Sequence, residues 1–255
     1  MTEDQRSPSF NVEGRIALVT GASSGLGRVI ATAFAEAGAK VVGVARRADM
    51  LEEWREEAKG ETGSVIGEIG DPKSTVELAH QAAQLFGPPD ILVNAAGVNT
   101  RQTADEVTPE GWQRTIDTNL SAPFYLAQAL VPAMKERGWG RILNFASLQS
   151  ERAFPGGIAY GASKGGIAQL TRAMAEAWSK HGINTNAIAP GFFPTELTGP
   201  VFSDPERSAR NAAQTCIGRN GEAGDIIGPA LFLCSPASDY VTGQILYVDG
   251  GYTAK

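Results

Sequence analysis

Three side chains near the middle of the chain have the types and spacing for acid–base chemistry at an oxygen atom. Tyr160 and Lys164 are four residues apart, and Ser147 precedes the tyrosine by thirteen residues. Four residues advance an α-helix by about 6 Å and bring two side chains to one face. A tyrosine keeps its proton up to pH ~10, and a nearby ammonium favours the phenolate. A serine hydroxyl beside them would hold the substrate oxygen, although the same spacing also occurs as a solvated pair.

Short apolar runs alternate with segments of helical periodicity along most of the chain. The predicted strands cover residues 16–20, 40–44, 64–69, 91–94, 141–146, 183–189 and 245–248. The predicted helices cover residues 26–38, 50–59, 72–86, 109–122, 123–137, 160–180 and 225–233. Apolar strands separated by helices indicate a parallel sheet covered on both faces. We therefore predict an α/β fold: a single doubly wound, Rossmann-type domain with a mostly parallel seven-stranded sheet.

The composition bounds the class of protein. The chain has 255 residues, of which 42% are hydrophobic, and this suits one domain over residues 10–255 behind a polar leader of residues 1–9. The leader is not a signal peptide, and no apolar run reaches the ~18 residues of a membrane span, so we expect a cytoplasmic protein. A net charge of −6 argues against a nucleic-acid or anionic-membrane surface.

Few residues are available for metal or histidine chemistry. Cys216 and Cys234 lack metal-site spacing, and we expect them to be buried free thiols. His80 and His181 are far apart in sequence, so we predict helix-surface positions for them and neither a histidine triad nor a metal site. Trp54 lies among charged residues and is expected to be partly exposed, while the other tryptophans, Trp112, Trp139 and Trp178, are expected to be packing residues.

A glycine-rich turn follows the first predicted strand and opens a helix. Its residues are Thr20, Gly21, Ala22, Ser23, Ser24, Gly25, Leu26 and Gly27. Gly21 permits a tight turn, and Gly25 and Gly27 permit close approach of a pyrophosphate and of helix to sheet. The helix N-terminus offers free N–H groups to phosphates. In this strand–turn–helix context the pattern predicts dinucleotide binding rather than a merely structural turn.

The end of the second strand favours NADP(H) over NAD(H). An acidic residue there would bind ribose hydroxyls and repel a 2′-phosphate, but the chain has Ala45, Arg46 and Arg47. Arginine forks bind phosphate, and Ser23 could add a hydroxyl contact. The alternative is that one or both arginines are solvated surface charges.

Several spaced motifs together resemble the short-chain dehydrogenase/reductase family over residues 12–251. They comprise the glycine-rich turn, Asn94-Ala95-Ala96-Gly97, Asn119 within Asp117-Thr118-Asn119-Leu120, Ser147, Tyr160, Lys164, Pro190-Gly191-Phe192-Phe193-Pro194-Thr195 and Val248-Asp249-Gly250-Gly251. The resemblance implies that Tyr160 is the general acid or base, that Lys164 lowers its pKa and binds the nicotinamide ribose, and that Ser147 orients the substrate oxygen. It also implies that Asn119 holds a water of a proton relay from Lys164 to solvent.

The resemblance further implies a set of cofactor contacts. Asn94, Ala95 and Gly97 would line the adenosine side, and Pro190, Gly191, Phe193 and Thr195 the nicotinamide end. The family often has aspartate after the third strand; Glu68-Ile69 aligns there, and Asp71 is the alternative. Residues 192–214 would cover the substrate, with Phe192, Phe193, Leu197, Val201 and Phe202 as apolar cover and Arg207 or Arg210 as an anion contact or a surface charge. Gln149 and Ser150 either touch substrate or serve the loop.

The resemblance suggests a reaction class but leaves the substrate open. It implies hydride transfer between NADP(H) and a secondary alcohol or ketone. Local similarity favours a sugar acid or polyol, and the alternative is a 3-oxoacyl-thioester reductase, for which Arg101 and Arg152 are candidate rim residues. A hypothesis from another class is an NADP(H)-sensing protein without turnover, but such relatives usually lose the tyrosine or lysine. A homotetramer is also implied, with the long helices over residues 109–137 and 160–180 as one interface and the C-terminal strand as a second.

Overall fold

The structure, a computed structural model, describes residues 9–255, and seven strands in this part of the chain form one sheet. The strands are β1 Ile16–Thr20, β2 Lys40–Ala45, β3 Thr62–Ile66, β4 Ile91–Asn94, β5 Gly140–Phe145, β6 Ile183–Pro190 and β7 Ile245–Val248. Their order is β3-β2-β1-β4-β5-β6-β7, and every pairing is parallel. The predicted doubly wound α/β fold is confirmed. The predicted leader lies outside the described residues except for Ser9.

Helices cover both faces of the sheet. The α-helices are α1 Gly25–Glu36, α2 Ala48–Glu57, α3 Pro72–Phe86, α4 Pro109–Ile116, α5 Ala122–Arg137, α6 Ile158–Trp178, α7 Gly199–Phe202, α8 Pro205–Gln214 and α9 Ile227–Cys234. One core cluster joins the sheet to α1, α2 and α9, and a second joins the other face to α3, α5 and α6. Strands buried on both sides explain the continuous apolar runs in the sequence.

The strand order reverses between β1 and β4, and this reversal fixes where a ligand can enter. Thr20 at the end of β1 is in register with Asn94 at the end of β4. The connections from these two strands leave toward opposite faces, so a crevice opens beyond their carboxyl ends. The glycine-rich turn lies on one side of this crevice, and the ends of β4, β5 and β6 lie on the other.

Two predicted elements differ from those in the structure, and one further segment contains helices that were not predicted. The third strand ends at Ile66 because β2, its one neighbour among the described strands, ends at Ala45 in register with it. Residues 67–69 therefore lie beyond the end of the strand with which β3 pairs. The predicted helix over residues 109–122 is α4 followed by a π-helical turn at Asp117–Ser121. The segment after β6, for which no helix was predicted, contains α7 and α8.

Three predictions of side-chain burial were wrong. Trp54 is only 1% exposed because α2 turns it inward, where its indole N–H donates to the Thr32 hydroxyl oxygen at 3.1 Å. Trp112 is 39% exposed on α4. Cys216 is an exposed thiol, whereas Cys234 is buried as predicted.

Within residues 9–255 no helix combines the length and the apolar character that crossing a membrane requires.

Candidate active site

The glycine-rich turn has the backbone that its residues predict. Gly21 and Gly25 have φ values of +73° and +58°, in the left-handed region that favours glycine. A Cβ atom on Gly21 would lie 3.0 Å from the backbone of Ala96, and one on Gly27 would lie 2.8 Å from the carbonyl carbon of Gly21. The turn therefore brings α1 close to the sheet. Ser24 precedes α1, and its side chain does not cap the helix.

The two arginines after β2 both lie on the rim of the crevice, and each is paired with a carboxylate. Arg46 Nη1 is 3.0 Å from Glu68 Oε1. Arg47 lies 2.9 Å from Glu196 and also donates to the Ser24 hydroxyl oxygen at 2.8 Å. Ser23, beside Ser24 in the turn, is buried. Arg47 therefore meets Ser24 of the glycine-rich turn at one end of the crevice, and Arg46 meets Glu68.

The contacts after β3 distinguish Glu68 and Asp71, the two acidic residues that were alternatives for the adenine contact. Asp71 caps α3, since its carboxylate accepts the Ser74 N–H at 2.9 Å. Ile69 is buried and Glu68 is exposed. A broad cavity beside them is walled by Gly70, Asp71 and the first turns of α3 and α4.

Ser147 is held by a capping arrangement at the end of β5. Its Oγ accepts the Gln149 N–H at 3.1 Å, and its own N–H donates to Ser150 Oγ at 3.3 Å. Ser150 Oγ donates in turn to the backbone carbonyl of Lys164 at 2.8 Å. Ser150 therefore links the loop that carries Ser147 to the helix that carries the tyrosine and lysine. The sequence left open a substrate contact or a role within the loop for Ser150, and these contacts show the role within the loop.

Tyr160 and Lys164 lie one turn apart on α6, and they face the end of β5. The Lys164 ammonium lies 5.5 Å from the centre of the Tyr160 ring and donates to the Phe145 carbonyl at 2.5 Å. Lys164 is 4% exposed, and this burial lowers its pKa to about 8. Burial raises the pKa of Tyr160, while the Ser147 hydroxyl and the Arg101 guanidinium act in the opposite direction. The pKa of Tyr160 is therefore raised, which is opposite to the lowering expected from Lys164.

Asn119 lies in the π-helical turn and connects three segments. Its side chain donates to the Val98 carbonyl at 2.9 Å and to Ser163 Oγ at 3.0 Å, and it accepts the Val98 N–H at 2.8 Å. Both N–H groups of the amide and one of the two lone pairs of its oxygen are thereby used. A Cβ on Gly97 would lie 3.4 Å from Asn119 Oδ1 and 4.0 Å from Lys164 Nζ. The side chains of Asn119 and Lys164 therefore both approach Gly97.

The end of β4 is fixed by buried polar contacts. Asn94 donates to Asn144 Oδ1 at 2.9 Å, and Asn144 donates to Thr171 on α6 at 3.0 Å. The N–H of Ala96 donates to Thr20 Oγ1 at 3.1 Å, which joins this loop to the glycine-rich turn. Ala95 packs between these contacts against the core. These bonds hold Asn94, Ala95 and Gly97 at the crevice wall.

The segment after β6 covers the crevice from the far side. Pro190 ends β6, and Gly191 packs so closely on β7 that a Cβ would lie 2.8 Å from the Asp249 Cα. Phe193 is 3% exposed in the core, and Val201 is also buried. Thr195 starts a short 3-10 turn, and its Cβ lies 3.4 Å from where a Cβ on Gly25 would be. The covering segment thus reaches the glycine-rich turn.

The predicted residues therefore gather along one crevice, and the structure adds contacts that the sequence did not predict. Thr20 and Asn144 support the strand ends, and Glu196 pairs with Arg47. The only local signal for Ser150 is its spacing of three residues from Ser147, which fits a capping arrangement. In residues 9–255 no cluster of three histidine, cysteine or carboxylate side chains is placed to hold a metal.

Comparison with known proteins agrees with this arrangement. Residues 21–253 match the family model described as enoyl-(acyl carrier protein) reductase. Gluconate 5-dehydrogenase of Gluconobacter oxydans is 38% identical over 249 residues, which cover 96% of this chain and 97% of that protein. The chain belongs to the short-chain dehydrogenase/reductase family. Membership of this family, predicted from the spaced motifs, is thereby confirmed, and the chain is an oxidoreductase.

Two further members of the family are similar over nearly their whole length. The 2-dehydro-3-deoxy-D-gluconate 5-dehydrogenase of Bacillus subtilis is 40% identical, with 97% of this chain and 98% of that protein covered. A gluconate 5-dehydrogenase from Burkholderia cenocepacia, crystallised in complex with NADP and tartrate, superposes with a TM-score of 0.91 at 36% identity. That alignment covers 96% of this chain and 98% of the crystallised one.

Proposed function

We propose that this protein transfers a hydride between NADP(H) and a secondary alcohol or ketone of a sugar acid or polyol. The observation that carries the proposal is the convergence of Ser147, Tyr160 and Lys164 beside the glycine-rich turn. Acid–base side chains and a phosphate-binding turn at one crevice are the two parts that nicotinamide-dependent carbonyl chemistry needs. The sugar-acid dehydrogenases among the relatives support the substrate class.

The crevice fits a dinucleotide phosphate. Any side chain on Gly21 or Gly27 would collide with neighbouring backbone, so the turn keeps its backbone N–H groups accessible. The first turn of α1 has no side-chain cap and can donate its N–H groups to a pyrophosphate. Arg46 and Arg47 would bind the 2′-phosphate, and the NADP held by the Burkholderia cenocepacia relative supports this choice.

The remaining cofactor contacts follow from position along the crevice. Ser23, Ser24 and Leu26 would border the phosphates, and Glu68 and Ile69 the adenine. Asn94, Ala95 and Gly97 would border the adenosine side, while Pro190, Gly191, Phe193 and Thr195 would border the nicotinamide. When bound, the nicotinamide supplies or accepts the hydride. The protein supplies position and a proton.

Tyr160 would exchange that proton with the substrate oxygen. In the reduction, the phenol donates its proton to the carbonyl oxygen while the Ser147 hydroxyl holds the same oxygen by a hydrogen bond. Lys164, whose pKa is about 8, is mostly protonated at neutral pH and stabilises the phenolate that remains. In the oxidation, the phenolate accepts the alcohol proton.

Asn119 would connect Lys164 to solvent through its backbone rather than its side chain. Val98 and Ser163 take three of the four hydrogen-bonding positions of the amide, including both of its donors. A π-helical turn shifts the backbone pairing by one residue and is frequent at functional sites. The Asn119 carbonyl in this turn is therefore the group that would hold a relay water.

Arg101 would select substrates that carry a carboxylate. It lies near enough to Tyr160 for its charge to lower the pKa of the phenol, and it donates to the Leu197 carbonyl in the covering segment. A guanidinium beside the acid–base tyrosine can pair with a carboxylate of the substrate while the alcohol carbon of the same substrate meets the nicotinamide. Arg207 and Arg210, on α8, are alternative anion contacts.

A 3-oxoacyl thioester is the second candidate substrate. The family model that matches the chain is described as an enoyl-(acyl carrier protein) reductase. Arg101 and Arg152 would be the basic rim for an acidic carrier protein, but Arg152 donates to the carbonyls of Thr253 and Lys255. This use of Arg152 within the chain favours the sugar-acid class.

Turnover assays test the proposal. Sugar acids, polyols and 3-oxoacyl thioesters are each assayed with NADPH, NADP, NADH and NAD. We expect activity on sugar acids or polyols with the phosphorylated cofactor; activity on thioesters alone would establish the second candidate. Cofactor binding without turnover across the panel would support a sensing protein and contradict an enzyme. Arg46→Ala should weaken NADPH binding more than NADH binding, and equal weakening would reject its role at the phosphate.

The assembly and the compartment are part of the same proposal. We propose a homotetramer in which α4, α5 and α6 form one interface and β7 a second, acting in the cytoplasm. The exposed Trp112 on α4 and Leu246 on β7 are apolar groups that such interfaces would bury. Analytical ultracentrifugation tests the assembly, and a monomer at micromolar concentration would contradict it. Cell fractionation tests the compartment, and recovery outside the cytoplasm would contradict it.

A further inference from the structure

Arg47 bridges three parts of the crevice. It donates through Nη1 to Glu196 Oε1 at 3.0 Å, and its Nη2 lies 2.9 Å from Glu196 Oε2. The same Nη2 donates to Ser24 Oγ at 2.8 Å, and Ser24 Oγ lies within hydrogen-bonding distance of Glu196 Oε2 at 3.3 Å. The guanidinium fork is thus bound by a carboxylate in the two-pronged manner that also suits a phosphate.

The contact spans the site proposed for the cofactor phosphates. Arg47 follows β2, Ser24 belongs to the glycine-rich turn, and Glu196 lies in the covering segment, 149 residues from Arg47. Thr195 rests on the same turn at Gly25. The Arg47–Glu196 pair is therefore a side-chain bond that ties the covering segment across the glycine-rich turn to the end of β2.

The pair is accessible to an incoming anion. The side chains of Arg47 and Glu196 are 43% and 58% exposed, so exchange of one anion for another requires no uncompensated buried charge. Each partner shifts the pKa of the other, because the carboxylate raises the pKa of Arg47 and the guanidinium lowers the pKa of Glu196. Both groups therefore remain charged at neutral pH, and the fork is occupied by a carboxylate before any phosphate arrives.

We infer that Glu196 competes with the 2′-phosphate of NADP(H) for Arg47, and that phosphate binding releases the covering segment from the glycine-rich turn. The inference rests on the proposed cofactor and goes beyond it. Glu196 becomes a specificity-determining residue, because the phosphorylated dinucleotide must displace it from Arg47 and is therefore opposed more strongly than the unphosphorylated one. The release couples recognition of the adenosine end to opening of the segment that covers the nicotinamide end.

The pair between Arg46 and Glu68 provides an internal comparison. It lies on the same rim and also holds an arginine against a carboxylate, at 3.0 Å, but both residues belong to the nucleotide side of the crevice. Glu68 is placed at the adenine in the proposed site, so the control variant is taken from a carboxylate outside that site. Glu206→Gln removes one from α8, where Glu206 is 3.7 Å from Arg210 and far from the turn in sequence.

Binding of two fragments isolates the 2′-phosphate. Adenosine 2′,5′-bisphosphate carries it, and adenosine 5′-monophosphate does not. Calorimetric titration of Glu196→Gln should show the bisphosphate bound about threefold to tenfold more tightly than by the wild type, as expected for loss of an exposed competing ion pair. Affinity for the monophosphate should change less, because that ligand does not need the Arg47 fork, and neither affinity should change in Glu206→Gln. Equal effects on both fragments, or none, would overturn the inference.

Hydrogen exchange measures the release. In the wild type, the bisphosphate should accelerate amide exchange over residues 195–202 and the monophosphate should not. In Glu196→Gln the exchange should be fast without ligand, whereas in Glu206→Gln it should still depend on the bisphosphate. Unchanged or slowed exchange on adding the bisphosphate to the wild type would contradict the release. If wild-type protein binds NADPH but Glu196→Gln shows no selective effect, only the competition fails; if it binds no NADPH, the proposed function fails as well.

Discussion

Replacing Lys164 with methionine should change how the free energy of unfolding depends on pH. The ammonium is 4% exposed, and burial lowers its pKa from 10.5 to about 8. Because the folded state releases this proton first, the unfolded state holds more protons between these two values, and stability rises with pH there. At neutral pH the wild type therefore carries the full cost of a buried charge, which the 2.5-unit difference puts at about 3 kcal/mol.

Methionine has a similar length and no charge, so Lys164→Met should not carry this cost. The difference in unfolding free energy, variant minus wild type, should fall by about 2 to 3 kcal/mol between pH 7 and pH 10. The hydrogen bond to the Phe145 carbonyl is lost in the variant, but that constant contribution cancels in the pH-dependent difference. Activity should be lost, as expected where a strained site trades stability for function.

Equilibrium urea unfolding at fixed protein concentration measures the effect at both pH values. Lys135→Met, at an exposed position on α5, controls for removal of one positive charge. A difference between Lys164→Met and wild type that stays constant with pH, or that grows as pH rises, would refute the reasoning that Lys164 is held in the site against its own desolvation.

Three further changes test how the site is positioned. Ser150→Ala removes the bonds to Lys164 and Ser147, so thermal unfolding should show a loss of about 1 to 3 kcal/mol and steady-state assays a fall in kcat of about tenfold; an unchanged kcat would show that the link is not needed. Arg101→Gln should raise KM for sugar acids by about tenfold to a hundredfold and leave polyols unaffected, and an equal rise for both would reject the carboxylate contact. Asn119→Ala loses three hydrogen bonds at a buried site, so urea unfolding should show about 2 to 5 kcal/mol less stability. A smaller loss would contradict the importance of the bonds from Asn119 to Val98 and Ser163 for stability.

The sheet and the glycine-rich turn were predictable because their signals are local. A strand buried on both faces must be apolar throughout, and a turn with two left-handed residues selects glycine at Gly21 and Gly25. The acid–base residues were predictable because Tyr160 and Lys164 are neighbours on one helix. In each case a few adjacent residues decide the outcome.

The features that were missed depend on distant partners. Trp54 has charged neighbours in sequence, yet packing against β2 and Thr32 buries it. The Arg47–Glu196 pair joins residues 149 positions apart, and no local pattern records it. The pKa of Tyr160 follows burial by the assembled crevice rather than the adjacent lysine alone. The elements that carry the site residues are predictable from local sequence, whereas the burial, ion pairs and pKa values of side chains depend on the completed fold.

The central claim is that Tyr160 exchanges a proton with the substrate while the cofactor binds beside it. Tyr160→Phe tests this most directly, since it removes only the hydroxyl. The rate of NADPH-dependent reduction should fall by about a hundredfold to ten-thousandfold, while NADPH binding followed by fluorescence titration stays within about twofold of wild type. A variant that keeps wild-type turnover would contradict the account.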